Sequence, residues 1–373
     1  MNRKNICEIC TLIMGQSPDS KSYNKDKNGI PFYQGNADFG EKHPTPTVWC
    51  TAPKKIARKG DILISVRAPI GDMNIANEDC CIGRGLAAIR LNKSDIVDIN
   101  YLYHYLSATV EFLQEQGTGS TFKAINKTTL EGIEIPCPSI EKQKNIAKFI
   151  IEIKTSIQYK KAELVALNEL VKSRFIEMFG TLDLSIQGET WLPLSDVSTI
   201  FTGTTPSTKD IENWSGDIPW VTPAELSDDS FVVCDTERKI TQKGMKSKSL
   251  SLMPKNTVLL STRAPIGKVA ITGIEMCCNQ GFKNFYCNNT VLNPIYLYTL
   301  LRNNSEYLNS LGTGTTFKEI SKKNASNIKV PVADISLQNE FADFVKLIDK
   351  SKFVGYFTLN IFYVKSSHFH HPP

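Results

Sequence analysis

The chain has 373 residues, 41% hydrophobic and 22% charged, with 43 Lys and Arg against 38 Asp and Glu for a net charge of +5. That length leaves room for two or three domains with cores of their own, and the composition, without a low-complexity run, is ordinary for a soluble globular protein. No apolar run reaches the roughly 18 residues of a membrane span, and Met1-Asn2-Arg3-Lys4-Asn5 leads into no signal-like segment, so a cytoplasmic protein without membrane contact is expected, its ten cysteines reduced.

In chain order, short β-rich segments come first, such as Asp61-Ile62-Leu63-Ile64-Ser65-Val66, punctuated by many Gly, Pro, Asn and Asp. A helix follows from about Asn100 to Glu115, then the loop Gly117-Thr118-Gly119-Ser120-Thr121-Phe122-Lys123. The next stretch, Ser139 to Gly180, is the longest periodic one. Ile146, Ile150, Ile153, Ile157, Lys160, Leu164, Leu167, Val171, Arg174 and Met178 recur at alternating steps of four and three, which is a coiled-coil seam. Ser139 caps the start with Glu141 in the first turn, and Gly180 supplies a left-handed stop. At about 1.5 Å per residue this helix is a rod of about 60 Å, and so narrow a seam needs a partner helix from this chain or another.

Beyond Gly180 the chain repeats itself. Gly15-Gln16-Ser17-Pro18 returns as Gly203-Thr204-Thr205-Pro206, and Pro31-Phe32-Tyr33 as Pro219-Trp220-Val221. Ser65-Val66-Arg67-Ala68-Pro69-Ile70-Gly71 returns as Ser261-Thr262-Arg263-Ala264-Pro265-Ile266-Gly267. The Gly117 loop returns at Gly312 to Lys318, and Ile133-Glu134-Ile135-Pro136 as Ile328-Lys329-Val330-Pro331. The offset grows from 188 to 196 and settles at 195, so small insertions separate the anchors. A period this long excludes a solenoid and indicates two equivalent domains related by a pseudo-twofold axis, each followed by a helix. Each domain reads as α+β, with irregular strands and large loops.

A residue that both copies need should occur in both. Cys7-Glu8-Ile9-Cys10 has zinc half-site spacing, but its counterparts are Ser195 and Ser198 and no second pair is spaced to complete a site, so no metal is expected. Cys80-Cys81 and Cys277-Cys278 read as small buried thiols. No histidine is shared between the copies: His104 corresponds to Thr299, and three of the five lie in the last six residues. The Gly-rich loops fail the P-loop spacing, yet backbone followed by Lys can hold a single phosphate, including one of DNA. A tight turn explains the glycines equally well.

Positive charge recurs at matched places. Arg67 and Arg263 end β segments, where an arginine contacts a phosphate, forks onto guanine or forms an internal ion pair. Arg84 and Arg90 in the first copy and Lys283 in the second lie downstream, Lys123 with Lys127 follows the first loop, and Lys318 with Lys322 and Lys323 follows the second. A solvated face explains any one of these; their pairing points to a phosphate footprint. With the aromatic anchors Tyr33 and Trp220, and leaving Arg90 aside, they form the candidate DNA-binding set.

The repeat, the long helix and the ordered motifs together resemble the DNA-specificity subunit of type I restriction-modification enzymes, over about residues 5 to 352. Carrying the resemblance are the two Gly-Thr-Gly-Ser/Thr-Thr-Phe-Lys-x-Ile motifs, the Ile-x-Ile/Val-Pro runs entering helices with Gln143 or Gln338, and the stretch at 341–350. It implies target-recognition domains at residues 1–138 and 181–333, each reading half of a split DNA sequence. It further implies a central spacer helix at 139–180 and a second at 334–352, which form an antiparallel coiled coil. Double-stranded DNA, two methyltransferase subunits and restriction/translocase subunits are the implied partners, and S-adenosylmethionine, ATP and Mg belong to those subunits, not to this one. No adenine-methylation motif, usable Walker loop or nuclease cluster is present, in keeping with a non-catalytic role.

The second helix departs from this pattern. Its seam runs through Phe341, Val345 and Ile348 and then meets Lys352 and Gly355, and the β-branched and aromatic run after Phe353 has no heptad, so the helix is expected to stop near Lys352 with an atypical tail at 353–373. The seam from Leu164 to Met178 would then need a second copy of the chain or a methyltransferase subunit. The competing class is a duplicated protein-interaction scaffold on a rod, which accounts for the seam but not for the paired basic loops.

Overall fold

The computed structural model describes residues 2–117, 123–186, 188–227, 230–314 and 318–367, with the backbone alone at 353–354 and 356–367. The chain divides into two compact units, one from the amino terminus to Tyr159 together with the chain from Ile361, the other Lys160–Asn360.

In the first unit the central strands are β1 (Cys10–Met14), β2 (Ile30–Tyr33), β3 (Ile62–Ser65), β4 (Met73–Ile75), β5 (Cys80–Ile82) and β6 (Leu86–Leu91). One antiparallel sheet has the order β1-β6-β3-β4, and β2 pairs in parallel with β5 in a second. Helix α1 (Ile99–Ala108), started by the Asp98 side chain, packs Leu102 and Leu106 onto Ile62, Ile64 and Ile89 in one core. After it comes α2 (Ile140–Phe179).

The second unit repeats the plan with β7 (Ser198–Thr202), β8 (Trp214–Val221), β9 (Val258–Leu260), β10 (Val269–Thr272), β11 (Cys277–Cys278), β12 (Lys283–Cys287) and α3 (Pro294–Asn303), followed by α4 (Ile335–Ser367), which belongs to this unit as far as Asn360. Register confirms the duplication residue by residue. Ile89 pairs with Leu12 and Ile62 in the first unit, and Phe285 pairs with Ile200 and Val258 in the second, at the offsets read from the sequence. Phe32↔Cys81 likewise becomes Trp220↔Cys277. Gly15 and Gly203 recur because a Cβ there would meet carbonyl oxygens at 2.1 and 2.0 Å.

A buried glutamine fastens the start of each long helix to its own domain. Gln143 Nε2 donates to the carbonyls of Ile96 (2.9 Å) and Pro138 (2.8 Å) while its Oε1 accepts from Asp98 N (2.9 Å). Gln338 repeats all three bonds, to Val291 (3.0 Å) and Ala333 (2.7 Å) and from Asn293 N (2.9 Å). Tyr101 and Tyr296 add hydroxyl bonds of 3.0 Å to Pro136 O and Pro331 O.

Ser139 Oγ accepts from Lys142 N at 3.4 Å at the start of α2, and Gly180, at φ +79°, ends it. Along α2, Ile146, Ile150, Ile153, Ile157, Leu167 and Val171 are half-buried and Leu164 is buried, among mostly exposed residues. On α4, Phe341 and Val345 are buried and Ile348 half-buried. Within the second unit the two helices run antiparallel. Arg174 meets Glu340 at 3.1 Å, Lys352 Nζ meets Asn168 Oδ1 at 2.6 Å, and Gly355 is buried against Leu164.

The expected stop near Lys352 is therefore corrected: α4 continues to Ser367, through most of the stretch read as a tail, and 368–373 lie outside the described residues. Gly355 explains the continuation at its own position, because a residue without a side chain lets α2 and α4 approach closely. Propensity of the β-branched run is a weak prior that tertiary context overrides. The sequence reading also missed Phe175, which is fully buried in an aromatic cluster with Phe179, Tyr296 and Phe341 at centroid distances of 4.8–5.7 Å.

Candidate nucleic-acid interface

Each copy turns a sharp corner just after a core strand and displays an arginine there. Beyond β3 and β9, Arg67 bridges by backbone to Ala124, and Arg263 to Glu319. The adjoining bonds repeat, Ile125 N to Val66 O and Ile320 N to Thr262 O, both 2.9 Å. Ser65 Oγ donates to Pro69 O at 2.6 Å and accepts from Asp72 N at 3.0 Å; Ser261 does the same with Pro265 O (2.6 Å) and Lys268 N (2.9 Å). Both Ala-Pro bonds, Ala68-Pro69 and Ala264-Pro265, are cis. Burying the serine and satisfying it locally fixes the corner, which leaves Arg67 and Arg263 exposed at its tip.

Lysines from the Gly-rich loops join these arginines. Lys123 is exposed, and its carbonyl accepts from Ala68 N at 3.2 Å, which seats it beside Arg67. In the second copy Arg263, Ala264, Lys318 and Glu319 line one depression. Lys127, Lys322 and Lys323 are exposed on short helices that begin a few residues later, Lys127 in an ion pair of 3.1 Å with Glu131. Arg84 is exposed in the turn between β5 and β6, its backbone N donating to Ser17 Oγ at 3.3 Å. The loop residues 118–122 and 315–317 lie outside the described residues.

Three candidates are corrected by burial. Tyr33 is 0%, Trp220 2% and Lys283 7% exposed, so none presents its side chain to a duplex. Tyr33 lies in the parallel ladder with β5. Trp220 packs edge-on against Trp214 at 5.1 Å and donates Nε1 to Thr204 O at 3.1 Å. Lys283 Nζ reaches Glu319 Oε1 at 3.3 Å and Thr262 Oγ1 at 3.4 Å. Arg90 is likewise spent internally, gripping Asp61 through Nε (3.1 Å) and Nη2 (2.8 Å).

Two participants escaped the sequence reading. Glu319 accepts from Arg263 Nε at 2.9 Å as well as from Lys283; burial pushes its carboxyl up, but these two cations outweigh burial and hold it below the ordinary value. Arg238, exposed, lays its guanidinium 3.5 Å over the Trp214 ring. Only the motif comparison contained a signal for Glu319, as the position where Ala124 stands in the first copy.

The cysteines carry free thiols; those of Cys80, Cys81, Cys277 and Cys278 are buried and pushed up to about 11–12. Among the described residues no cluster of His, Cys, Asp and Glu is arranged to hold a metal ion, and no helix is long and apolar enough to cross a membrane.

Comparison with known proteins places this architecture. A Methanocaldococcus jannaschii protein assigned by name as a type I restriction enzyme MjaX specificity subunit is 49% identical over 152 residues, 41% of this chain and 36% of that one. The type I restriction enzyme MjaIX specificity subunit of the same organism is 36% identical over 185 residues, 48% of this chain and 43% of that one. Both matches thus span less than half of the relatives' length. The crystal structure of a type I restriction-modification system S subunit from M. genitalium matches in fold, with TM-score 0.64 and 14% identity over 99% of this chain and 94% of that one. The family model for the type I restriction modification DNA specificity domain matches residues 1–169 and 189–353, once over each copy, and the chain belongs to that family.

Proposed function

We propose that the chain is the non-catalytic DNA sequence-specificity subunit of a cytoplasmic type I restriction-modification complex. Each copy of the domain reads one half of a split duplex target, and partner subunits carry out adenine methylation and restriction. The observation that carries this reading is the repetition of an exposed arginine on a rigid corner beside a lysine-bearing loop, Arg67 with Lys123 and Arg263 with Lys318. Phosphate neutralisation by such cations supplies affinity, while a fork onto a base edge supplies specificity.

Linking two readers in one chain makes the second contact intramolecular, so two modest half-sites add up to one selective site. Two methyltransferase subunits and the restriction/translocase subunits are the partners of this reading, and S-adenosylmethionine, ATP and Mg act in those subunits. The test is single-molecule methylation mapping of DNA from a host expressing the chain with its neighbouring methyltransferase gene. A split adenine-methylated motif that vanishes when this gene is deleted is the expected result; no motif from a chain that folds and binds the methyltransferase overturns it.

A further inference from the structure

The two matched arginines stand in different electrostatic settings. Glu319 bridges Arg263 Nε at 2.9 Å and Lys283 Nζ at 3.3 Å. At the equivalent positions the first copy has Ala124 and Ala87, as register shows: Arg67 bridges to Ala124 where Arg263 bridges to Glu319, and Ala87 pairs with Met14 where Lys283 pairs with Thr202. The carboxylate and the buried ammonium are present together in one copy and absent together from the other. Among the described residues Arg67 makes no ion pair, and its side chain is exposed.

Within the trio itself net charge does not change: Arg263, Lys283 and Glu319 sum to the same single positive charge as Arg67 alone, although Asp72 beside the first corner is Lys268 at the second. What the trio changes is orientation. With Nε held by Glu319, the guanidinium keeps both terminal nitrogens free as a planar fork and has lost much of its rotational freedom before binding. That is the geometry for two parallel bonds to guanine O6 and N7, and prior ordering lowers the cost of forming them.

We propose that Glu319 is a positioning residue that holds Arg263 as a reader of a guanine edge in the second half-site, whereas Arg67, without such a carboxylate, contacts backbone phosphate. The inference rests on the DNA-reading function proposed above. Lys283 is then a second anchor for Glu319, since the same carboxylate also satisfies a buried ammonium.

The experiment selects bound duplexes from a randomised library with the full chain, over a salt series, and sequences them. The informative variant is the double substitution Lys283→Ala with Glu319→Ala, which keeps the local net charge and places alanines where the first copy already accommodates them. Expected is about a tenfold loss of preference at one guanine of the second half-site, with the first half-site and the salt dependence unchanged. Arg263→Lys, which keeps the charge and leaves the Lys283–Glu319 pair intact, is expected to lose the same guanine, and Lys283→Met with Glu319→Met, which keeps the net charge and the bulk, carries the test of Glu319 if the double alanine variant fails to fold. Arg67→Ala is expected to weaken all sequences alike and to lower the salt slope by about one. If the folded double variant keeps every base preference, Glu319 serves only Lys283 and the inference falls while the DNA reading stands. If the unaltered chain enriches no sequence and its binding ignores salt, the DNA reading itself falls and takes the inference with it.

Discussion

Replacing Gln338 by leucine shortens the side chain by one atom and removes all three of its hydrogen bonds. The residue is 0% exposed and its three partner residues are half-buried, so the Asn293 N–H and the carbonyls of Val291 and Ala333 lose their bonds to it where water is largely excluded. An orphaned buried group costs about 1–3 kcal/mol, and burying leucine returns about 1.5–3 kcal/mol in all, so a net loss of roughly 3 kcal/mol is expected. That is a large share of the about 5–15 kcal/mol that holds a domain folded. Urea unfolding followed by hydrogen exchange resolves the two units. The expected result is a lower midpoint for the second unit, with early exchange in the first turn of α3, and no change in the first unit. Gln143→Leu should give the mirror outcome. A loss below about 1 kcal/mol, or one spread equally over both units, refutes the reasoning.

Further outcomes follow from the same structure. Trp220→Ala should cost about 3–5 kcal/mol in unfolding of the second unit, as a core truncation does, and should leave per-base DNA preferences intact wherever the protein stays folded. Arg90→Ala leaves Asp61, 4% exposed, as a buried carboxylate without its guanidinium, and should cost about 3–5 kcal/mol by chemical denaturation. Gly355→Ala gains about 1 kcal/mol of helix propensity against a new Cβ contact 3.2 Å from Leu164 Cδ2, so melting should shift little, whereas Gly355→Leu should separate the helices and lower it clearly. His104 is lowered by burial, and further by Lys154 and Lys42, from 6.5 to about 4; the neutral ring is the folded form, so stability is full above 6.5 and is lost as pH falls toward 4. His104→Thr, the residue of the second copy, should flatten that acid limb in a pH series of denaturation curves.

The features legible in the sequence were those that the duplication or a strict period writes twice. The offsets between copies located the Ser-x-Arg-Ala-Pro-Ile-Gly corner and the two helix-fastening glutamines, because each recurs under the same steric demand, whereas which strands pair was not written in them. The heptad placed Leu164 and Phe341 on the inward side of their helices. What escaped depends on three-dimensional context that neither pattern encodes. Trp220 and Tyr33 read as surface aromatics because aromatic residues suit both stacking and cores, and only the parallel ladder decides for the core. Lys283 read as a free cation because its carboxylate lies 36 residues away and in one copy alone. The length of α4 was underestimated because Gly355 is a helix weakener in isolation and a close-packing contact once Leu164 lies against it.

That contact bears on how such a chain can change its reach over evolution. Leu164 nests where Gly355 offers no side chain, so the pair works as a key in a slot and fixes the lengthwise setting of α2 against α4. Adding a heptad to one helix alone, on the near side of the key, would slide a residue with a side chain into the slot. Length changes that preserve the fit must enter both helices together and in whole heptads, or fall beyond the key. A lineage lengthening these helices would therefore move in large, paired steps, and intermediate lengths would be filtered out by packing alone.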